Sequence, residues 1–462
     1  MRNRSQSTPD VTSRLSKALT LAAMSLGFCV VQLDVTIVNT ALDSIGRSIG
    51  GGIAVLQWVV SAYTIMFAAI ILTAGALGDR IGAKKVFIAG FGIFTFASLV
   101  CALAPSIGML IAARALQGIG AAILVPNSLA LLNRAYPNEK ERSRAIGFWA
   151  AGASVALTFG PLAGGALIAI AGWRSIFLVN LPIGLTGLWL TSRYAVDTPR
   201  RLSRDLDLPG QVIAVATLGS LAGAIIGGGA LGWTNHWILG GLIASVVLLV
   251  LLILREHYAR DPMLPLSLFR HRLFSVTTLI GFLVNVAFYG LIFIFSLYFQ
   301  RVNGLSAIAT GMAFFPMMLA VLATNLFAAW VAERIGVLPA ICIGSAIAGI
   351  GCLALLPVER GANYFLMCAQ LIALGGGMGL LVPPLTSALL GSVEKSRSGI
   401  ASGILNSMRQ TGSVVGVALF GSLVAQPVTF ISGMKQSLCI SAALFLLASV
   451  LAGSPPRRLH DK

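Results

Sequence analysis

The chain has 462 residues, of which 57% are hydrophobic and only 10% are charged, and its mean hydropathy is +0.90. Soluble domains carry about 25% charged residues, so this composition excludes a soluble globular protein and predicts an integral membrane protein. The formal net charge is +17, which would suggest a nucleic-acid partner in a soluble protein. The six cysteines lie in apolar stretches without the spacing of metal ligands, so no metal site is expected.

The predicted elements begin after a polar segment, 1–17, which we interpret as a cytoplasmic tail because it lacks the cleavage pattern of a signal peptide. Apolar stretches then recur to the end of the chain, each with the roughly 20 residues that a membrane-spanning helix needs. Fourteen spans are predicted, at 18–41, 53–77, 85–104, 107–132, 145–170, 174–192, 209–230, 236–254, 273–299, 306–331, 337–357, 362–390, 399–424 and 436–453.

The basic residues are unevenly divided between the loops on the two sides of the membrane. With both termini in the cytoplasm, 25 of the 32 Lys and Arg residues lie on inside segments and 5 on outside loops, while Arg114 and Arg409 lie within spans. This division obeys the positive-inside rule and requires an even number of spans. We therefore expect a multi-pass protein of the cytoplasmic (inner) membrane, whose basicity reflects topology and needs no nucleic-acid partner.

Two short segments of the first half recur in the second half in the same order. "LGDRIGAKK" (77–85) is echoed by "VAERIGVLP" (331–339), and "QGIGAAILVP" (117–126) is echoed by "LGGGMGLLVP" (374–383). Repeated halves around a midplane site are typical of transporters. We predict an all-α membrane protein of two pseudo-repeated six-helix bundles plus two linking helices. Its predicted parts are a cytoplasmic tail (1–17), a first bundle (18–193), a linker with two spans (194–272), a second bundle (273–453) and a cytoplasmic tail (454–462).

Four motifs in order carry a family resemblance: "LDVTIVNTAL" in span 1, "GALGDRIGAKKV" between spans 2 and 3, "RALQGIGAA" in span 4 and "GPLAGG" in span 5. They resemble motifs of the major facilitator superfamily, and more narrowly of its 14-span drug:proton antiporters. "SIFLVNLPIG" (175–184) is similar to methylenomycin A resistance proteins. The resemblance covers nearly the whole chain. It implies alternating-access export of small, often hydrophobic compounds, driven by the proton gradient without a further cofactor.

Asp34 is the acidic residue that lies well inside a predicted span, since the others fall in tails, loops or span ends. A carboxylate at a helix centre costs roughly 2.5–3.5 kcal/mol on insertion scales, so it is expected to be paired or functional. Its position, about 25 Å along the helix from Lys17, lies within the hydrocarbon. We predict that Asp34 is the proton-coupling residue and that Arg114, the other intramembrane charge of this half, acts on it. A purely structural pair is the alternative.

The segment between spans 2 and 3 must turn sharply at the predicted cytoplasmic face, which suits glycine at Gly78 and Gly82. Gly75 would let another helix approach closely, and Asp79 could accept hydrogen bonds from a neighbouring helix N-terminus. The resemblance implies that this segment latches the two halves together on the cytoplasmic side. The predicted latch residues are Gly75, Asp79, Arg80, Gly82 and Lys84. A tight turn with topology-setting charges is the alternative.

Span 5 carries Gly160, Pro161, Gly164 and Gly165 in its middle, where proline kinks a helix and glycine permits close helix contact. The resemblance associates this motif with antiporters, whereas a structural kink is the alternative. Polar side chains on spans usually face the bundle interior. The substrate-cavity candidates chosen on this basis are Gln117, Asn285, Asn406 and Arg409. Helix–helix hydrogen bonding is the alternative for the asparagines, and Arg409 needs a partner.

Two other functions stay open at the level of sequence, namely export of an endogenous metabolite and a non-transporting membrane sensor. A sensor would normally carry a soluble signalling domain, whereas no loop here exceeds about twenty residues. No HExxH or P-loop pattern is present, so we expect no enzyme. The expected partners are a small-molecule substrate, protons and the lipid bilayer, and we expect a monomer.

Overall fold

The computed structural model describes residues 14–199, 207–259, 262–359, 363–394 and 397–453, and these residues form helices without any strand. Most of the predicted tail 1–17, and all of 454–462, lie outside the described residues. The long helices are α1 (Arg14–Ile49), α2 (Ile53–Ile81), α3 (Ala83–Leu103), α4 (Ile107–Ala135), α5 (Glu139–Ala171), α6 (Ser175–Tyr194), α7 (Leu208–Leu231), α8 (His236–Tyr258), α9 (Arg272–Val302), α10 (Ala307–Ile335), α11 (Val337–Ala354), α12 (Tyr364–Gly391), α13 (Ser398–Leu423) and α14 (Phe430–Gly453).

In the part of the chain that the structure describes, thirteen of these helices are long and apolar enough to cross a membrane. The fourteenth long helix, α13, has 26 residues and carries Asn406, Arg409 and Gln410 in its middle. The predicted all-α membrane fold is therefore confirmed. Several helices extend beyond the predicted spans: α1 runs eight residues past position 41, so Asp43, which the prediction places beyond the first span, lies within a helix.

The two six-helix bundles use the same helix pairings, as expected for a repeat. In the first bundle, α1 packs on α5 and α6, α2 packs on α4, and α3 packs on α4 and α6. In the second bundle, α9 packs on α13 and α14, α10 packs on α12, and α11 packs on α12 and α14. Each pair in one bundle has its counterpart in the other, so the pseudo-repeat inferred from two short echoes extends to the whole packing arrangement.

The bundles meet along two equivalent helix pairs, α5 with α10 and α2 with α13. The linking helix α7 packs on both α2 and α13, whereas α8 packs mainly on α7. In the apolar 18-residue stretch of α8, only 11% of the residues are buried within the chain. Such low burial is expected of a helix that faces lipid on most sides. The linking helices therefore lie at the periphery and leave the centre to the two bundles.

Polar contacts join the bundles near the middle of the helices, as where Ser407 donates to the Ala68 carbonyl, and also at the end of the molecule opposite the α2–α3 turn. We call the end that holds this turn the basic end, and the other the opposite end. At the opposite end, Arg301 of α9 donates a hydrogen bond to Asp43 of α1 at 2.9 Å. The Ser296 hydroxyl donates to the Asn39 carbonyl, and the Gln57 amide of α2 donates to two carbonyls of α13 at 2.8 Å. The bundles are thus joined on the predicted outer side.

Candidate functional site

A buried ion pair lies at the centre of the first bundle. Asp34 is 0% exposed, and the Nη1 group of Arg114 donates to its Oδ2 atom at 2.5 Å. The other carboxylate oxygen accepts hydrogen bonds from the amides of Gln117 at 2.8 Å and Asn180 at 3.3 Å. The hydroxyl of Ser98 accepts from the same two amides. Helices α4 and α6 therefore supply the groups that hold the Asp34 carboxylate, α3 supplies the serine that orients the two amides, and the charge is both paired and hydrogen-bonded.

Arg114 is held as firmly as its partner. Its side chain is 1% exposed, and its Nε group donates to the Val59 carbonyl of α2 at 3.1 Å. Its Nη1 group also donates to Gln117 at 2.6 Å. The ring of Tyr63 lies 4.3 Å from the guanidinium carbon, within the range of a cation–π interaction. The guanidinium thus connects the carboxylate on α1 with the backbone and an aromatic ring of α2.

The motif "RALQGIGAA" explains how α4 brings these groups together. Arg114 and Gln117 are three residues apart and share one helix face. A Cβ atom at Gly118 would overlap the Tyr63 carbonyl, and one at Gly120 would lie 2.7 Å from the backbone nitrogen of Phe94. The two glycines therefore allow α4 to approach α2 and α3 closely, and this approach places the arginine beside α1.

The sequence suggested part of this network. It paired Asp34 with Arg114, and the structure brings the two together, while their role in proton coupling stays a prediction. Gln117 was chosen as a cavity residue but lies in the carboxylate network instead. Asn180 and Ser98 were missed: a polar residue within the apolar "SIFLVNLPIG" was an available signal for Asn180, whereas a serine in a span carries little information.

A small cavity lies between the bundles, beside Arg114. Its volume is about 10 Å³, which is room for about one water molecule. Helices α1, α2, α4, α9 and α13 line it, through Val35, Val38, Asn39, Val60, Tyr63, Thr64, Arg114, Tyr289, Ser413 and Val417. A wider groove of about 620 Å³ runs along α14, next to Lys435 and Cys439. That groove is remote from the buried charges, so we take the central cavity as the candidate site.

Of the cavity residues that the sequence predicted, none lines this cavity. Asn285 and Asn406 each donate to a carbonyl four residues earlier on their own helices, at 2.7 and 3.0 Å. Among the described residues, the side-chain hydrogen bonds of these two asparagines thus stay within their own helices, so neither substrate contact nor the alternative of hydrogen bonding between helices is seen. Arg409 is half-buried and makes no hydrogen bond or ion pair with the described residues. It lies one helical turn before the cavity-lining Ser413, and hence on the same face of α13.

The prediction that Asp79, at the α2–α3 turn, accepts hydrogen bonds from a neighbouring helix N-terminus is wrong for this conformation. Asp79 is exposed and makes no hydrogen bond or ion pair with any residue that the structure describes. Asp197, which follows α6, accepts the hydrogen bond from the backbone nitrogen of Lys84 at 3.0 Å and so caps α3. The Lys84 ammonium donates to the Ser192 carbonyl at 2.9 Å. Neither contact reaches the second bundle, so the latch between the halves remains a prediction.

The glycines of this turn have different roles. Gly82 adopts φ +103°, a conformation that favours glycine, as the predicted turn requires. A Cβ atom at Gly75 would have its nearest neighbour at an ordinary 3.7 Å, so the predicted close approach there is wrong. The close approach is at Gly78 instead, where a Cβ atom would lie 2.9 Å from the amide carbon of Asn127. Arg80 lies half-buried at the end of α2.

The glycines of the span-5 motif make the close contacts that were predicted. A Cβ atom at Gly160 or Gly164 would overlap a threonine hydroxyl of α1. At Gly165 it would lie 2.5 Å from the Ala307 carbonyl of α10. The carbonyl of Pro161 also faces α10, and α5 continues through this proline. The motif thus packs α5 against both the helix that carries Asp34 and the other bundle.

The comparison with known families fits this geometry. The sequence model of the Major Facilitator Superfamily matches residues 24–214, 210–417 and 277–461. The chain belongs to the Major Facilitator Superfamily. Members of this superfamily carry small-molecule substrates across membranes, and a central cavity between two repeated bundles is in keeping with such a task.

Relatives of this superfamily member have names that refer to drug resistance. It is 35% identical to a methylenomycin A resistance protein of Streptomyces coelicolor, over 95% of this chain and 93% of that protein. It is 36% identical to one of Bacillus subtilis, over 93% and 92%. A multidrug resistance protein of Mycobacterium tuberculosis is 35% identical, over 96% and 83%.

Solved structures confirm the fold. A bacterial homologue of the human lysosomal transporter Spinster aligns with a TM-score of 0.67 at 17% identity, over 95% of this chain and 97% of that one. The human organic anion transporter MFSD10 aligns with a TM-score of 0.64 at 18% identity, over 94% and 99%. At these identities the likeness concerns the architecture alone.

Proposed function

We propose that this protein exports small, hydrophobic, antibiotic-like compounds across the cytoplasmic membrane in exchange for protons. The observation that carries the proposal is the Asp34–Arg114 pair at the wall of the cavity between the bundles. Arg114 both binds the carboxylate and lines the cavity. Arg114 therefore responds both to protonation of Asp34 and to a substrate in the cavity.

The proposed cycle follows from the electrostatics of this pair. In the structure Asp34 is bound by a cation and two amides, an arrangement that stabilises the ionised carboxylate. A proton on Asp34 removes the counter-charge of Arg114, whose guanidinium then rearranges at the cavity wall. Protonation and substrate binding thereby become mutually dependent, and two bundles that open alternately to the two sides convert this dependence into exchange. The proton gradient supplies the energy, and no cofactor takes part.

The names of the relatives support the proposed class of exported compounds, namely antibiotic-like molecules. Proteins 35–36% identical over nearly the whole chain are called methylenomycin A resistance proteins, and another is called a drug efflux pump. In the proposed topology both termini are cytoplasmic and the basic end faces the cytoplasm. The substrate enters from that end, since the bundles are joined at the opposite end, and we propose a monomer.

The test uses Asp34→Asn in proteoliposomes with an imposed pH gradient. A panel of antibiotics, dyes and biocides first identifies an exported compound in an efflux-deficient host. Asparagine preserves the volume of the side chain but cannot release a proton. We expect the variant to bind and exchange the compound while losing both gradient-driven accumulation and substrate-induced proton release.

Glu256→Gln is the matched control. Glu256 is a carboxylate of similar burial, 2% exposed, on the peripheral helix α8, and its replacement should leave coupling intact. Gradient-driven transport by Asp34→Asn at the wild-type rate would rule out the coupling role. If the wild-type protein exported no compound of the panel, export of an endogenous metabolite or a sensory role would replace the proposal.

A further inference from the structure

The central cavity holds buried polar atoms that lack partners. Asn39 is 5% exposed and Tyr63 is 1% exposed. Both side chains line the cavity, and the Asn39 Oδ1 atom and the Tyr63 hydroxyl make no hydrogen bond in the described part of the chain. Buried polar atoms in proteins are nearly always hydrogen-bonded. These two atoms at the wall of one cavity are therefore available to hydrogen-bond a group that enters it.

Building on the proposed function, we propose that Asn39, Tyr63 and Ser413 form the polar subsite for the substrate. The substrate class is a neutral compound that has an apolar body and donates a hydrogen bond from a hydroxyl or N–H group. The sequence had selected neither Asn39 nor Ser413 as a site residue. They come from helices α1, α2 and α13, so the subsite spans the interface between the two bundles.

The orientation of the Asn39 amide determines the chemistry of the subsite. Its Nδ2 group donates to the Val35 carbonyl at 2.9 Å, and because a carbonyl only accepts, the amide cannot be flipped without losing this bond. The Oδ1 atom is therefore the free end, and it needs a donor. The hydroxyls of Tyr63 and Ser413 can accept as well as donate, and no described residue is hydrogen-bonded to either.

Charge around the cavity excludes permanent cations. Among the described residues that line the cavity there is no carboxylate, whereas Arg114 is one of them. The Asp34 oxygens are turned to Arg114, Gln117 and Asn180, so they cannot bind a cationic drug directly. A second cation, Arg409, lies one turn away on the same face of α13 as Ser413. A positively charged substrate would face these guanidinium groups without a counter-charge, and a carboxylate substrate would have no hydrogen for the Asn39 oxygen.

The rest of the cavity wall accommodates an apolar body. Valine side chains from three helices form much of it, and these are Val35, Val38, Val60 and Val417. In this conformation the cavity admits only about one water molecule in its 10 Å³. The bundles must therefore separate before a compound can enter, and the polar subsite is formed again when they close around it.

The test measures binding to the purified full-length protein in nanodiscs. The probes are aryl alcohols and anilides, the O- and N-methylated derivatives of the same compounds, and ethidium as a permanent aromatic cation. The variants are Tyr63→Phe and Ser413→Ala, each of which removes only a hydroxyl group. Tyr63→Phe keeps the ring that lies against Arg114. Ser441→Ala is the matched control, because Ser441 is a buried, unpartnered serine on α14 outside the cavity.

We expect each cavity variant to weaken binding of the hydrogen-bond donors about five- to tenfold, the usual effect of one hydrogen bond. The methylated derivatives should bind the wild-type protein more weakly than the donors and should lose less affinity in both variants, Ser441→Ala should change nothing, and ethidium should bind least. Equal losses for donors and methylated derivatives, no loss in either variant, or ethidium binding as tight as that of the donors would overturn the inference.

The same samples distinguish this inference from the proposed function. Binding with the expected pattern, but without any proton-driven transport, would uphold the subsite and reject the antiport proposal. Transport of the panel compounds without the expected pattern would reject the subsite and leave antiport standing. Failure of every neutral probe to bind would reject the assignment of the substrate class. Thermal unfolding of each variant confirms that a weakened affinity is not a folding defect.

Discussion

Replacing Arg114 by glutamine should destabilise the protein strongly at neutral pH. The substitution removes an ion pair with a 2.5 Å contact in which neither side chain is more than 1% exposed. Removing one partner of such a buried pair costs about 3–5 kcal/mol, because the other charge is left uncompensated. The Asp34 carboxylate would keep its hydrogen bonds from Gln117 and Asn180, so we expect a folded protein that unfolds more easily.

The double variant Asp34→Asn/Arg114→Gln shows more directly than the single substitution whether the two buried charges stabilise each other. It removes both charges and leaves amides that can hydrogen-bond to each other, so it should recover most of the stability lost by Arg114→Gln.

The assay is denaturant or thermal unfolding of the purified variants in the same detergent at neutral pH. Arg47→Gln is the control, because the Arg47 side chain is 74% exposed in its pair with Asp43, and such pairs contribute about 0–1 kcal/mol. A loss below about 1 kcal/mol for Arg114→Gln, or strictly additive effects in the double variant, would refute the conclusion that the central charges stabilise each other.

Three further predictions concern packing, closure and capping. Gly118→Ala should cost about 1–3 kcal/mol, since its methyl group would overlap a backbone carbonyl of α2, whereas Gly92→Ala, which has open space around it, should be neutral in the same unfolding assay. Arg301→Gln should speed the labelling of Ser296→Cys by a membrane-impermeant maleimide several-fold, because the ion pair that joins α9 to α1 is lost; an unchanged rate would show that this pair does not hold the opposite end closed. Asp197→Ala should destabilise by about 1 kcal/mol, the usual value of a lost helix cap, and hydrogen exchange at the start of α3 would report it.

The membrane location of this protein and its helices could both be predicted from the amino-acid sequence. Long apolar runs and the loop charges need no tertiary information, because the cost of burying polar groups in lipid acts on each segment separately. The predicted spans therefore follow the observed helices closely, and errors are confined to the ends, as where α1 continues past Asp43. Asp34 and Arg114 could be selected for the same reason, since an intramembrane charge is costly wherever it lies.

Which polar side chains contact each other depends on how the helices pack, and this could not be predicted from the sequence. Asn285, Asn406 and Gln117 looked alike in sequence, yet two of them bond to their own helices and one binds Asp34. Asn39 was not selected, although it lines the cavity. The direction of a side chain depends on how each helix is rotated about its axis, and small residues such as Gly118 and Gly160 fix that rotation through contacts with distant helices. A short motif indicates that such a contact exists, but which partner it meets is determined only when the bundles pack.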